Sequence, residues 1–340
     1  MKKIFANTII LIITCSLVVI GIEITLRIIE PKSHGVFQQK SKNKNLAHEH
    51  MPNITVKILG RDVSINKDGY RGKYYNNEKG NNTLRIAIFG DSFTFGHGVS
   101  DEQTYAKQLE NILQDNLSDK NVQVLNFGIN DYSTEQELEL FKCKGIEYTP
   151  DIVILGYYYN DAIVNIPQRS ENKNYKKEIK KELSIKNIVH ILRKSYCYKY
   201  LSPRINVLLR LLNIRGLGES GYFDKLYKEN SKPWIRNSET LLEFKEIVNS
   251  INSDFIIVLL VDALKLDDNY PYKNTHKVVS EFCHINGIKC LDLYKELYGR
   301  NYTGYRASIL DAHPDERLNK IFANEIFKFI KNENIIKNLN

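Results

Sequence analysis

Short apolar runs alternate with helically spaced apolar positions through most of the chain. Five of these runs have the length of buried strands and are too short for typical helices. They lie at residues 86–89, 122–127, 151–157, 255–261 and 288–293. Helical spacing of apolar residues occurs between and beyond them, at about residues 105–113, 134–144, 239–252, 278–285 and 318–330. Strands that alternate with helices predict an α/β fold with a parallel sheet covered on both faces.

One long segment interrupts this alternation. Residues 166–238 are rich in lysine and tyrosine and carry two apolar pieces at helical spacing, 185–192 and 205–212. We interpret the segment as an inserted helical subdomain. Its role is open between a solvated excursion packed on the sheet and a substrate lid or membrane-surface helix.

The N-terminus has the pattern of a membrane anchor. Residues 4–22 are mostly apolar and follow Lys2 and Lys3. Their length approaches the roughly 20 residues that cross a bilayer, and the positive start predicts a cytoplasmic N-terminus. Residues 22–31 contain no small-residue cleavage site, and Cys15 lacks a lipoprotein context. The sequence therefore predicts a single-pass cell-membrane protein with its main domain on the extracytoplasmic side.

The pattern divides the chain into three parts. Residues 1–30 form the predicted transmembrane signal anchor, and residues 31–83 a polar tether with a small hairpin at 54–65. A turn at residues 66–72 follows this hairpin. The main domain is predicted over residues 84–340, with the insertion inside it.

Composition narrows the function classes. The formal net charge of the 340 residues is +8, but lysine and asparagine are scattered and no nucleic-acid-binding motif occurs, which argues against nucleic acid as a partner. The five cysteines lack metal-ligand spacing. Cys283, His284 and Cys290 lie close in sequence, but Cys290 falls in a predicted strand, which favours core packing. We expect no metal and no cofactor.

Candidate chemistry begins at residues 85–98. Ser92 follows a buried strand, Gly90 and Asp91, and precedes a predicted helix. Open α/β sheets bind ligands at the carboxyl ends of their strands, so a serine here has the position of a nucleophile. Gly, Asp and Ser are also ordinary turn residues, and a purely structural turn is the alternative.

A serine nucleophile needs a base, a group that orients the base, and donors for the oxyanion. His313 lies in a predicted loop before the last helix, with Asp311 two residues before it. A lone histidine is more often structural, but the nearby aspartate favours a base and its orienting acid. The predicted oxyanion donors are the Ser92 N–H, the Gly128 N–H and the Asn160 amide, because all three follow strand ends.

Together these residues resemble the SGNH, or GDSL, hydrolase family. The resemblance covers residues 84–331, without the insertion, and the anchor and the turn at 66–71 also resemble a membrane-anchored bacterial branch of the family. Four short blocks carry it in the family's order: Gly90-Asp91-Ser92-Phe93, Asn126-Phe127-Gly128, Tyr159-Asn160-Asp161 and Asp311-Ala312-His313-Pro314.

The resemblance implies a three-layer α/β/α flavodoxin-like fold and a catalytic serine. Ser92 would be the nucleophile, His313 the base and Asp311 its acid, with Ser92, Gly128 and Asn160 as the oxyanion hole. The family often places the acid three residues before the histidine, where this chain has Leu310. Because of this one-residue shift, the sequence does not predict whether the Asp311 carboxylate faces His313.

The expected function is that of an exported, membrane-anchored serine esterase. Its substrate would be an acylated small molecule or polysaccharide, with acetyl on a cell-surface carbohydrate as the first choice by family analogy. An O-acyltransferase that resolves the same acyl-enzyme with a sugar hydroxyl is the alternative, since only the acceptor differs. A glycan-binding or assembly protein without turnover is a third hypothesis.

Overall fold

The computed structural model describes residues 2–29, 37–163, 219–308, 311–337 and 339. The first helix, α1, spans Lys2–Ile29. Two antiparallel hairpins follow, and the second is the hairpin that the alternating pattern predicted. Their strands are β1 (Gln38–Lys40), β2 (His48–His50), β3 (Ile54–Ile58) and β4 (Arg61–Ile65).

The prediction that a helix within residues 1–30 spans a membrane is not supported by the structure. A helix does occupy this part of the chain. None of the helices in the described ranges, however, combines the length and apolar character that a bilayer crossing requires.

A five-stranded parallel sheet forms the centre of the protein, as the apolar runs predicted. Its strands are β5 (Thr83–Gly90), β6 (Asn121–Gly128), β7 (Ile152–Tyr157), β8 (Asp254–Leu259) and β9 (Lys289–Asp292). They are ordered β6-β5-β7-β8-β9, with the first strand of the sheet inside and the second at the edge. This is the flavodoxin-like order, in which the strand order along the sheet reverses beside the first strand while all strands stay parallel.

Eight further α-helices follow α1 in the described part of the chain, and they pack against the sheet or against one another. The helices are α2 (Ser92–Phe95), α3 (Tyr105–Asn116), α4 (Thr134–Cys143), α5 (Glu219–Leu226), α6 (Lys232–Ser250), α7 (Lys273–Ile285), α8 (Leu293–Glu296) and α9 (Glu316–Asn332). Tyr105 on α3 meets Phe322 on α9, while Phe89 on β5 meets Phe141 on α4 and Phe244 on α6. A last hairpin, β10 (Arg306–Ser308) with β11 (Asp311–Pro314), precedes α9.

Most of the predicted insertion lies outside the described residues. This includes both apolar pieces, 185–192 and 205–212. The described end of the insertion, residues 219–238, contains α5 and the beginning of α6. Trp234 on α6 is buried, so this end packs into the main core.

Candidate active site

Ser92 lies at the carboxyl edge of the sheet. Strand β5 ends at Gly90, and Asp91 caps α2 by accepting a hydrogen bond from the Phe93 N–H at 2.8 Å. A Cβ atom on Gly90 would lie 2.1 Å from Thr94 Oγ1, so only glycine lets the helix begin directly against the strand end. As the first residue of α2, Ser92 has a backbone N–H without an intrahelical acceptor.

His313 joins Ser92 to Asp311 through two hydrogen bonds. Its Nε2 lies 2.8 Å from Ser92 Oγ, and its Nδ1 lies 2.5 Å from Asp311 Oδ1. The backbone N–H of His313 also donates to Asp311 Oδ1 at 2.9 Å. All three side chains that the sequence singled out for nucleophile, base and acid are therefore in contact.

The two-residue spacing of Asp311 and His313 has a structural reason. The sequence predicted a loop here, and that prediction is wrong, because both residues lie on strand β11. Side chains two positions apart on a strand point to the same face. The strand therefore brings the carboxylate to the imidazole without the longer spacing of the family.

Electrostatics favour a charged imidazole beside this carboxylate. Burial alone would lower the pKa of His313, but the Asp311 carboxylate outweighs it, with help from Asp91 and Asp262, so the pKa is raised. For Asp311, burial acts to raise the pKa, and the charge and hydrogen bonds of His313 lower it below its usual range. The site therefore stabilises the ion pair that forms when His313 takes a proton.

Asn160 reaches this site through Asp91. Its Nδ2 donates to Asp91 Oδ2 at 3.0 Å, and Asp91 directly precedes Ser92. Burial raises the pKa of Asp91 to about 6, while the bonds from Phe93 and Asn160 favour its ionised form. One N–H of the Asn160 amide is thus held by Asp91, and the amide has a second N–H to offer.

Gly128 stands at the end of β6, paired in register with Gly90. Its N–H donates to Asn126 Oδ1 at 3.0 Å, so this predicted oxyanion donor is already engaged. A Cβ atom at Gly128 would lie 2.2 Å from the Phe95 N atom. The glycine is therefore required sterically, because α2 packs closely against the end of β6.

Arg71, which lies in the turn predicted at residues 66–72, is a buried residue beside the site. Its guanidinium donates to the carbonyl oxygens of Phe95 and Gly96 at 2.6 and 2.7 Å and to that of Val99 at 2.6 Å. These contacts fix the loop after α2. An arginine in a polar turn is usually solvated, and its sequence gives no signal for this role.

His97, on that loop, is a second histidine beside the triad residues. Its ring centroid lies 4.8 Å from that of His313, and its Nε2 lies 3.9 Å from Asp311 Oδ2. The sequence did not predict a role for His97. No local spacing relates His97 to Asp311, since the two are distant in the chain.

Aromatic and acidic groups enclose the base. The Phe93 ring lies 5.0 Å from that of His313 and 3.8 Å from that of Tyr158. The Tyr158 hydroxyl donates to Asp262, which is buried. Burial raises the pKa of Asp262 to about 8, while the charge of His313 acts in the opposite direction.

Comparisons with known proteins give a family match over most of the chain. Residues 88–321 match the GDSL-like Lipase/Acylhydrolase family. No curated protein matches the chain. Among solved structures, the chain is similar to a variant of Axe2, an acetyl-xylooligosaccharide esterase from Geobacillus Stearmophilus, with 13% identity and a TM-score of 0.45 over 73% of this chain and 94% of that one. It is also similar to the esterase EstA from Pseudoalteromonas sp., with 12% identity and a TM-score of 0.43 over 74% of this chain and 98% of that one.

Proposed function

Since this chain belongs to the GDSL-like lipase/acylhydrolase family, we propose that it hydrolyses an acyl ester through Ser92, with His313 as base and Asp311 as orienting acid. A serine ester hydrolase is the enzyme class of the chain. The assignment of these three roles rests on one observation above all. Ser92 Oγ and His313 Nε2 lie 2.8 Å apart, within the reach that proton transfer between nucleophile and base requires.

In the first step, Ser92 Oγ attacks the ester carbonyl while His313 Nε2 accepts the hydroxyl proton. Asp311 accepts the Nδ1–H of His313, which holds the ring in the tautomer that leaves Nε2 free to act as base. The imidazolium that forms is stabilised by the same carboxylate. His313 then gives the proton to the leaving alcohol.

The oxyanion takes hydrogen bonds from donors around Ser92. The Ser92 N–H stands at the first position of α2, where it has no acceptor within the helix and can donate to the oxyanion. Asn160 offers its second amide N–H, with the first held by Asp91. The Gly128 N–H becomes a third donor when it breaks its hydrogen bond to the Asn126 side chain and donates to the oxyanion instead.

In the second step, water attacks the acyl-enzyme. His313 takes a proton from the water and returns one to Ser92 Oγ, which restores the starting state. The buried Phe93 ring packs beside the imidazole and against the ring of Tyr158, and this crowding supports a small acyl group such as acetyl. A carbohydrate as the alcohol part of the ester is proposed on family analogy alone, and location outside the cytoplasm stays a prediction from the sequence.

The test is hydrolysis of p-nitrophenyl acetate by the full-length protein, Ser92→Ala and His313→Ala. We expect each substitution to lower kcat by at least about 10⁴-fold, because nucleophile and base act as a unit. A fluorophosphonate probe should label the wild type and fail to label Ser92→Ala. Exposed His284→Gln is the matched control and should keep the wild-type rate.

Turnover that survives in both alanine variants would contradict the proposed roles. A folded wild-type protein with neither turnover nor labelling would contradict the hydrolase mechanism at Ser92. Acetate release from an acetylated glycan, compared with p-nitrophenyl esters of increasing chain length, tests the proposed substrate.

A further inference from the structure

Three metal-binding side chains meet at one edge of the proposed catalytic site. His97, Asp311 and His313 each offer one ligand atom, and these atoms all lie within 4.8 Å of one another. Two imidazoles and a carboxylate are a donor set that Zn²⁺ accepts, with a water molecule as the fourth ligand. Harder cations such as Mg²⁺ prefer oxygen donors and are poorly matched to this group.

The separation of His97 Nε2 and Asp311 Oδ2 is close to that in a tetrahedral zinc site, whereas His313 Nδ1, now 2.5 Å from Asp311 Oδ1, must move away from the carboxylate to admit the ion. Zn–N and Zn–O bonds of about 2.0–2.2 Å place neighbouring ligand atoms roughly 3.4 Å apart. His97 Nε2 and Asp311 Oδ2 lie 3.9 Å apart, which is too long for a hydrogen bond and within about half an ångström of the zinc geometry. The three side chains are 11%, 22% and 24% exposed, so an ion from solution reaches them.

Asn130 lies beside His97 on the side away from Asp311 and can orient the imidazole. Its Nδ2 lies 3.3 Å from His97 Nδ1, while its Oδ1 is buried and has no hydrogen-bond partner within the part of the chain that the structure describes. Turning the amide brings Oδ1 to His97 Nδ1–H. The Nε2 lone pair of His97 then faces the Asp311 carboxylate, an arrangement that a cation between them stabilises.

We propose that Zn²⁺ binds between His97 Nε2, Asp311 Oδ2 and His313 Nδ1, with Asn130 Oδ1 accepting the Nδ1–H of His97. Metal-binding histidines commonly donate their other N–H to a carbonyl oxygen in this way. The ion takes the place of the proton between His313 and Asp311. That proton moves through solvent to His313 Nε2, and the proton of His97 moves from Nε2 to Nδ1, so that neither ring changes its proton count.

Zinc at this position inhibits the enzyme, an effect that rests on the proposed function of His313. With its proton on Nε2, His313 has no lone pair facing Ser92 and cannot accept the hydroxyl proton. The chain thus has a zinc site that competes with its own catalytic base. The class of ligand is a borderline-soft divalent transition metal.

The first measurement is calorimetric titration of the full-length protein with Zn²⁺, with Mg²⁺ as the ion control. We expect binding of one Zn²⁺ and at least tenfold weaker binding by His97→Gln. Asn130→Ala, which leaves all three ligands in place, should weaken zinc binding about 10–100-fold. Thermal unfolding without metal shows whether both variants are folded.

The second measurement is p-nitrophenyl acetate hydrolysis over a zinc series, each variant compared with its own metal-free rate. Zinc should inhibit the wild type reversibly on addition of EDTA, and His97→Gln should need at least tenfold more zinc. Exposed His284→Gln and Cys143→Ser should match the wild type, which excludes zinc held at those surface groups.

Equal zinc affinity in the wild type, His97→Gln and Asn130→Ala would overturn the proposed site. A wild type that hydrolyses the ester and is not inhibited by zinc would also overturn it. Zinc binding that depends on His97 in a protein without esterase activity would support the site and contradict the proposed function instead.

Discussion

Arg71 Nε lies 2.9 Å from Asp101 Oδ1, and this ion pair joins the turn before the sheet to the loop after the nucleophile helix. The Arg71 side chain is 1% exposed. Burial lowers its pKa, while the Asp101 charge acts in the opposite direction and favours the charged form. Because its other donors bind three carbonyl oxygens of residues 95–99, Arg71 positions the loop that carries His97.

Replacement of Arg71 by methionine should destabilise the protein strongly. It removes the donor of the loop carbonyl groups and the partner of Asp101, which is 25% exposed, so we expect a cost of about 3 kcal/mol of unfolding free energy, the lower end of the range for a buried pair. Chemical denaturation measures this difference. Arg61→Met is the matched control, since Arg61 is 48% exposed in its ion pair with Glu316 and should cost about 0–1 kcal/mol. Similar losses in the two variants would contradict the structural role of Arg71.

Asp311→Asn should lower kcat by about 10⁴-fold with little change in melting temperature, because the amide leaves His313 in the wrong tautomer. The control is Asp315→Ala, four residues along the chain. Asp315 caps α9 by accepting the N–H groups of Arg317 and Leu318, so its loss should cost about 1 kcal/mol of stability while the rate is kept. An Asp311→Asn variant with the wild-type kcat would remove Asp311 from the proposed triad.

Asn160→Ala should lower kcat by about 10²–10³-fold and leave KM nearly unchanged, since an oxyanion donor acts mainly in the transition state. Steady-state kinetics with p-nitrophenyl acetate separates the two constants. Exposed Asn116→Ala should behave as the wild type. A rise in KM at constant kcat in Asn160→Ala would mean that Asn160 binds substrate rather than the oxyanion.

Glu137 and Asp161 are fully buried near Asp91, and burial raises the pKa of both well above the usual range. Repulsion from Asp91 adds to this for Glu137, and repulsion from Glu137 and Asp91 adds to it for Asp161. In the described part of the chain, neither oxygen of the Glu137 carboxyl group has a hydrogen-bond partner. The pKa of Glu137 in the folded protein exceeds the unfolded value of about 4.3. The contribution of Glu137 to the free energy of unfolding is therefore fully present below about pH 4.3, and it is lost as the pH rises through the folded pKa.

Glu137→Gln should therefore gain stability relative to the wild type as the pH increases. Thermal unfolding over a pH series measures the difference in melting temperature between the two proteins. Glu333→Gln is the exposed control and should give a difference that does not depend on pH. A constant difference for Glu137→Gln would mean that Glu137 titrates normally in the folded protein.

The apolar pattern predicted the sheet well for a physical reason. Parallel strands are buried on both faces, so their sequences are nearly continuous apolar runs, and each run can be recognised from neighbouring residues alone. Each of the five predicted runs overlaps one of the strands β5 to β9. The position of Ser92 follows from the same logic, because a residue after a buried strand must lie at the carboxyl edge of the sheet.

Other features of the site depend on contacts between distant parts of the chain. The partner of Asn160 is Asp91, and the N–H of Gly128 is taken by Asn126. Short strand β11, which brings Asp311 to His313, exists through its pairing with β10. A strand this short leaves no clear apolar pattern, and a loop was therefore predicted.

By itself, the sequence determined the parallel sheet and the place of Ser92 at its carboxyl edge, because buried strands and the residues at their ends are encoded by neighbouring positions. The tertiary structure alone decided that Asp311 faces the imidazole, that Arg71 is buried under the active-site loop and that His97 stands beside the base. Each of these depends on the folded path of the chain, since hydrogen bonds and desolvation are set by groups far apart in sequence.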